Sequence, residues 1–122
     1  MLFRSRQVAA GHLHTVVRKQ DGTVACFGAG TTNGNYNPMY GQSATPSGLS
    51  GVTQVAAGPL HSLALKSNGT AQGWGYDGSG QATAPKFLAG IAQLASGARH
   101  SIALNGDGSV SAWGDKIGRA HV

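Results

Sequence analysis

The chain has 122 residues, 40% of them hydrophobic, with twenty glycines and only 11% charged residues. That is enough apolar material for a core, but glycine weakens helix interiors, so a helical bundle is excluded and many short strands joined by tight turns are expected. The formal charge of +5 gathers at the ends in Arg4, Arg6, Lys116 and Arg119, leaving five basic and four acidic residues between them; such a near-neutral middle is not a phosphate-binding surface.

No apolar run approaches the roughly 18 residues of a membrane span, and the opening "MLFRSRQ" lacks the hydrophobic segment of a signal peptide. The compartment stays open. A single cysteine, Cys26, excludes an internal disulfide.

In chain order, residues 1–6 form a short tail, followed by three segments that align without a gap over 22 positions: 7–28 (QVAAGHLHTVVRKQDGTVACFG), 54–75 (QVAAGPLHSLALKSNGTAQGWG) and 93–114 (QLASGARHSIALNGDGSVSAWG). The repeats are 7–53, 54–92 and a partial 93–115, so their starts lie 47 and 39 residues apart. The difference falls in the long loop 29–42, whose counterpart is the short "YDGSGQ" of 76–81. A fixed period of this length is the signature of stacked supersecondary units.

Within each unit, "VAAG" predicts a short strand of small residues. "HSLALK" predicts a half-buried one, in which His61, Leu63 and Leu65 alternate with Ser62, Ala64 and Lys66. Asp21-Gly22, Asn68-Gly69 and Asp107-Gly108 predict hairpin turns. The following strand ends in an aromatic and a glycine: Phe27-Gly28, Trp74-Gly75 and Trp113-Gly114. Several strands per period and no helical pattern predict an all-β partial propeller, an incomplete ring.

The pattern of "VAAG", "HSLAL", "WG" and "GQ" over residues 7–114 resembles the repeat of the regulator of chromosome condensation family. Residues 75–93 are also similar to the shorter repeat of the secreted β-lactamase inhibitors of the same propeller superfamily. The resemblance implies a ring of about seven blades, of which this chain holds about two and a half. It also implies alternative activities: guanine-nucleotide exchange on a small GTPase with chromatin contact, or occlusion of an enzyme's active site.

The ends break the pattern. "LFRS" at 2–5 can be encoded CTC TTC CGA TCT, whose reverse complement in another frame reads Ile-Gly-Arg, the residues at 117–119. Residues 1–6 and 116–122 are therefore expected to be non-native tails, translated sequencing-adapter DNA.

His14, His61 and His100 recur once per repeat, as do Gly11, Gly58 and Gly97. Histidines placed once per blade diverge around a ring, so a structural ring bonded to backbone beside the neighbouring blade is expected, and no metal site. Cys26 aligns with Gly73 and Ala112 and is expected to be a packed strand residue. The chain has no glutamate, and its four aspartates, Asp21, Asp77, Asp107 and Asp115, form no catalytic pair. No cofactor and no enzymatic activity are expected; a propeller lyase or hydrolase would need its site in further blades.

A rigid propeller displays its loops. Tyr36, Asn37, Met39 and Tyr40 in the long loop, with Tyr76 and Asp77 in the short one, combine aromatic and polar character as interface anchors do. A protein partner is expected there, no nucleic acid or membrane partner, and self-association through the open blade edges.

Overall fold

A computed structural model of the chain describes residues 5–30, 33–36, 39–77, 80–84 and 90–114. Among these residues every regular element is a strand. Blade 1 contains β1 (Ser5–Ala10), β2 (His14–Lys19) and β3 (Val24–Gly28); a small hairpin of β4 (Asn33–Tyr36) and β5 (Met39–Tyr40) follows. Blade 2 contains β6 (Val52–Ala57), β7 (His61–Lys66) and β8 (Ala71–Gly75), and blade 3 β9 (Ile91–Ser96), β10 (His100–Asn105) and β11 (Val110–Gly114). Each blade is a three-stranded antiparallel sheet in sequence order. The first strands lie side by side, β6 against β1 and β9 against β6, so the blades fan out as an arc of a propeller whose ring is not closed.

The second and third strands of each blade are joined by a three-residue loop. In blade 1 the Lys19 N–H donates to the Thr23 carbonyl (2.8 Å) and the Gly22 N–H to the Lys19 carbonyl (3.0 Å). The same pair recurs at Lys66 with Thr70 and Gly69, and at Asn105 with Ser109 and Gly108. Gly22, Gly69 and Gly108 hold φ of 83°, 81° and 90°, the left-handed residue that closes such a loop. The residue before each glycine has a different part: the Oδ1 atoms of Asp21, Asn68 and Asp107 accept the backbone N–H two residues on, at 3.0, 3.1 and 2.9 Å. Hydrogen bonds from Thr23 also hold the exposed Asp21 carboxyl below the usual carboxylate range. In Asn68-Gly69-Thr70 the asparagine is thus engaged in the hairpin.

Two apolar layers glue the blades. Val16 and Val24 of blade 1 meet Val52, Val55, Ala64 and Trp74 of blade 2. Leu63 and Leu65 of blade 2 meet Ile91, Leu94, Ala103 and Trp113 of blade 3. The middle strand of blade 2 departs from the half-buried expectation: His61 through Leu65 are all buried. Alternation predicts one wet face, but blade 2 has a neighbour on each side, and small or hydroxyl side chains at Ser62 and Ala64 let the second neighbour approach.

The stretch 29–42, expected as a loop, contains the β4–β5 hairpin, with Tyr36 opposite Met39 and Asn33 opposite Tyr40. At the other end of blade 1, β1 begins at Ser5, inside the expected tail, and Ser5 pairs with Lys19 across a bulge. Val52 and Ile91 hold the corresponding positions against Lys66 and Asn105 and are buried at 3% and 6% exposure. Where the other repeats place a buried aliphatic residue, blade 1 has a serine.

Leu63 is fully buried between blades 2 and 3. Leu63→Ala is expected to lower stability by about 2–5 kcal/mol, read as a reduced guanidinium midpoint.

Candidate functional site

A chain of polar contacts crosses each blade junction. At the first, the Gln42 carbonyl accepts from Trp74 Nε1 (2.9 Å) and Ser62 Oγ (2.8 Å), and Ser62 Oγ also meets His14 Nε2 of blade 1 (3.0 Å). At the second, the Gln81 carbonyl accepts from Trp113 Nε1 (3.2 Å) and Ser101 Oγ (2.7 Å), and Ser101 Oγ meets His61 Nε2 (3.2 Å). Ser96 Oγ lies 3.2 Å from the same nitrogen. His14 and His61 therefore each meet a serine hydroxyl of the next blade, and the backbone carbonyl stands one bond further along.

This arrangement decides the histidine tautomer. Ser62 and Ser101 each give their only proton to a carbonyl, so the imidazole facing them donates Nε2–H to the serine oxygen. Nδ1 is then the unprotonated nitrogen, and in both His14 and His61 it is buried without a hydrogen-bond partner. A serine beside a histidine suggests a nucleophile and its base, yet here the nitrogen facing the hydroxyl already carries the proton. It cannot activate the serine.

Burial lowers the pKa of both rings. For His14 the direction is down. For His61 the pKa falls to about 4, driven first by desolvation and then by the nearby His14, with Asp77 acting in the opposite direction. The Gly-x-x-His spacing has a steric cause. A Cβ on Gly11, Gly58 or Gly97 would overlap the ring of His14, His61 or His100 respectively, so the histidine lies flat against bare backbone.

The residues that sequence reasoning passed over are the glutamines opening each repeat. Gln7 Oε1 accepts the Val55 N–H (2.9 Å). Gln54 clasps the next first strand from both sides, accepting the Leu94 N–H (2.9 Å) and donating to the Leu94 carbonyl (3.1 Å). Each glutamine follows a β-bulge, which turns its side chain toward the neighbouring blade. The signal was present in the alignment, where Gln7, Gln54 and Gln93 coincide, but polarity at a strand start reads as solvent exposure. Backbone bonds add to the clasp: the Val52 N–H donates to the Gly22 carbonyl (2.9 Å) and the Ile91 N–H to the Gly69 carbonyl (3.1 Å).

Gly28, Gly75 and Gly114 end the third strands, at φ between 104° and 112°. Beyond them leave the loops. Tyr36, Met39 and Tyr40 lie on the β4–β5 hairpin, and Asn37 lies outside the described residues. Tyr76 is half-buried, its N–H donating to the Leu60 carbonyl (2.8 Å). Asp77 is exposed, but its carboxylate closes its own loop by accepting the Ala82 N–H (2.9 Å) and the Thr83 hydroxyl (2.6 Å). That closure delivers the Gln81 carbonyl to blade 3. The long loop uses Ser43 instead, whose N–H donates to Gly30 and whose hydroxyl donates to Phe27. Cys26 sits half-buried on β3, with burial pushing its thiol pKa up and away from thiolate chemistry. Among the described residues no group of three or more His, Cys, Asp or Glu side chains could hold a metal.

Residues 52–81 and 91–115 match the sequence model of the Regulator of chromosome condensation (RCC1) repeat. The matches cover blades 2 and 3. Among solved structures, Prp20p of Saccharomyces cerevisiae, whose structure was described with its binding to Gsp1p and histones, superimposes with a TM-score of 0.72 at 20% identity, over 99% of this chain and 37% of its own. The receptor kinase CR4 ectodomain of Physcomitrella patens gives 0.68 at 22% identity, over 90% and 29%. Human WBSCR16 gives 0.66 at 24%, over 93% and 34%. Likeness at this level of identity establishes the fold, and the chain spans about a third of the length of these relatives. No curated protein matches it.

Two outcomes follow for blade 2. Gly58 lies outside the left-handed φ region, so Gly58→Ala is expected to cost about 1–3 kcal/mol through overlap with the His61 ring and crowding of the Gly97 carbonyl rather than through backbone strain, read as a loss of Tm. The unfolded chain protonates His61 below its ordinary 6.5, the folded one only below about 4. Stability is therefore complete above pH 6.5, falls by on the order of 3 kcal/mol as the pH drops from 6.5 to 4, and His61→Gln should flatten that slope in a denaturant titration.

Proposed function

We propose that these RCC1 repeats serve as a non-catalytic scaffold that binds a protein partner through the loops leaving β3 and β8. The observation that carries this reading is the contrast between the junctions and the loops. Trp, Ser, His and Gln repeat their contacts from one junction to the next, whereas the loop after the third strand changes from the fourteen residues of 29–42 to the six of 76–81. A propeller held rigid at its junctions tolerates variation where it meets a partner. The longer loop brings two tyrosines and a methionine, residue types that anchor interfaces.

The finer reading concerns the class of partner. Prp20p is described as binding Gsp1p and histones, which raises a small GTPase or a histone as the occupant. Residues 7–115 contain only four acidic side chains, an arrangement that favours a GTPase-like globular partner over the strongly basic histones.

The test replaces residues 29–42 by YDGSGQ in the full chain and compares affinity capture with the parent sequence. The reading expects a protein retained by the parent and lost by the short-loop variant at unchanged Tm. Retention by both, or capture by neither, overturns it.

A further inference from the structure

In an asparagine–glycine pair the glycine nitrogen can attack the preceding side-chain amide, because the absent Cβ leaves that approach unhindered. The chain has three such pairs, Asn33-Gly34, Asn68-Gly69 and Asn105-Gly106. The second and third stand in opposite surroundings.

Asn68 is exposed in the loop of the β7–β8 hairpin. Its Oδ1 accepts the Thr70 N–H (3.1 Å) and the Thr70 hydroxyl (2.6 Å). Both bonds use an atom that asparagine shares with aspartate, and the amide nitrogen takes no part in them. Asp21 and Asp107 fill the same position in the other blades. They accept the same two bonds, at 3.0 and 2.6 Å from Thr23 and at 2.9 and 2.6 Å from Ser109. The Thr23 hydroxyl first, and Lys19 in addition, favour the ionised Asp21 carboxyl; Thr70 and Lys66 hold those positions in blade 2. An aspartate at 68 therefore enters a turn already built for it twice. At Asn105 the amide nitrogen is the anchor, donating to Ser109 Oγ (3.0 Å) and Ser111 Oγ (3.2 Å), while Oδ1 is buried without a partner. Ser109 gives its own proton to Asp107, so a carboxylate at 105 would lose both donor bonds and bury a charge that Ser109 does not satisfy.

We propose that Asn68 is a site of covalent modification, an asparagine that converts to aspartate without loss of the fold, and that its own hairpin gates the conversion. In the closed turn the Gly69 N–H donates to the Lys66 carbonyl (2.9 Å), so the nitrogen reaches Asn68 Cγ only when the hairpin opens. It then loses its proton and bonds to Cγ. The Cγ–Nδ2 bond breaks, and the amide nitrogen leaves as ammonia, taking up that proton by way of solvent. Water opens the resulting succinimide ring. Cleavage between Cγ and the Gly69 nitrogen gives aspartate, which refits the turn. Cleavage at the main-chain carbonyl gives isoaspartate, whose extra main-chain carbon does not fit. Amide and water become carboxylate and ammonium, and nothing is oxidised or reduced.

The test ages the full chain in mildly alkaline buffer, folded and in guanidinium, and follows conversion at Asn68 by peptide mass mapping. Conversion in the folded chain is expected to be slower by about tenfold or more, the factor set by the fraction of time the hairpin is open. In parallel, Asn68→Asp is expected to keep the parent Tm, and Asn105→Asp to lower it or prevent folding. Equal rates in the two states overturn the gate, as does an Asn68 that stays intact in guanidinium. An Asn68→Asp Tm below that of the parent, or an Asn105→Asp Tm equal to it, overturns the claim that the turn at 68 accepts the product.

Discussion

The whole arc depends on one backbone carbonyl per junction. Gln42 and Gln81 sit between blades, where an unpaired carbonyl would carry the full desolvation cost of a buried polar group, and each is satisfied by an indole N–H and a serine hydroxyl. The serine's second contact recruits the histidine of the preceding blade, so a single acceptor ties three strands of two sheets together. The histidine lies against a glycine because nothing larger than hydrogen fits beneath it. Trp, Gly-Gln, Ser and Gly-x-x-His are thus one device rather than four features of a repeat.

Burial holds the polar groups of this device in one hydrogen-bonding arrangement. A serine and an imidazole within hydrogen-bond distance, a lowered histidine pKa and a nearby carboxylate are the parts of many hydrolytic sites. Here the proton directions run from indole and hydroxyl to carbonyl and from imidazole to hydroxyl, so the histidine has no lone pair facing the serine. Perturbed ionisation in this protein reports packing between blades. The contrast with Asp77 is instructive: that carboxylate is exposed, yet it too is engaged in shaping backbone, because its loop must present Gln81 to the neighbouring sheet.

Much of this architecture was legible in the linear pattern. The gapless recurrence of 22 residues named the unit, period-two alternation and Asp-Gly or Asn-Gly turns gave its strands, and the glycine content ruled out helices. These are local properties: they follow from backbone sterics and from the periodicity of a pleated strand, which a sequence carries in full. The alignment also marked the repeated histidines, tryptophans and glycines as structural.

What the alignment left undecided was who meets whom. The structure alone assigned the histidine's proton to a serine 48 residues away, made clasps of Gln7 and Gln54, turned a predicted half-buried strand at His61–Leu65 into one covered on both sides, and folded a hairpin into 29–42. The first three depend on contacts between repeats, and a repeat's sequence is the same whether its neighbour is present or not; the hairpin pairs locally, in a stretch that is longer than its counterpart in the next repeat. Thus the sequence by itself determined the blade, whereas the junction, and with it the difference between an interior face and an exposed one, exists only once blades are set side by side.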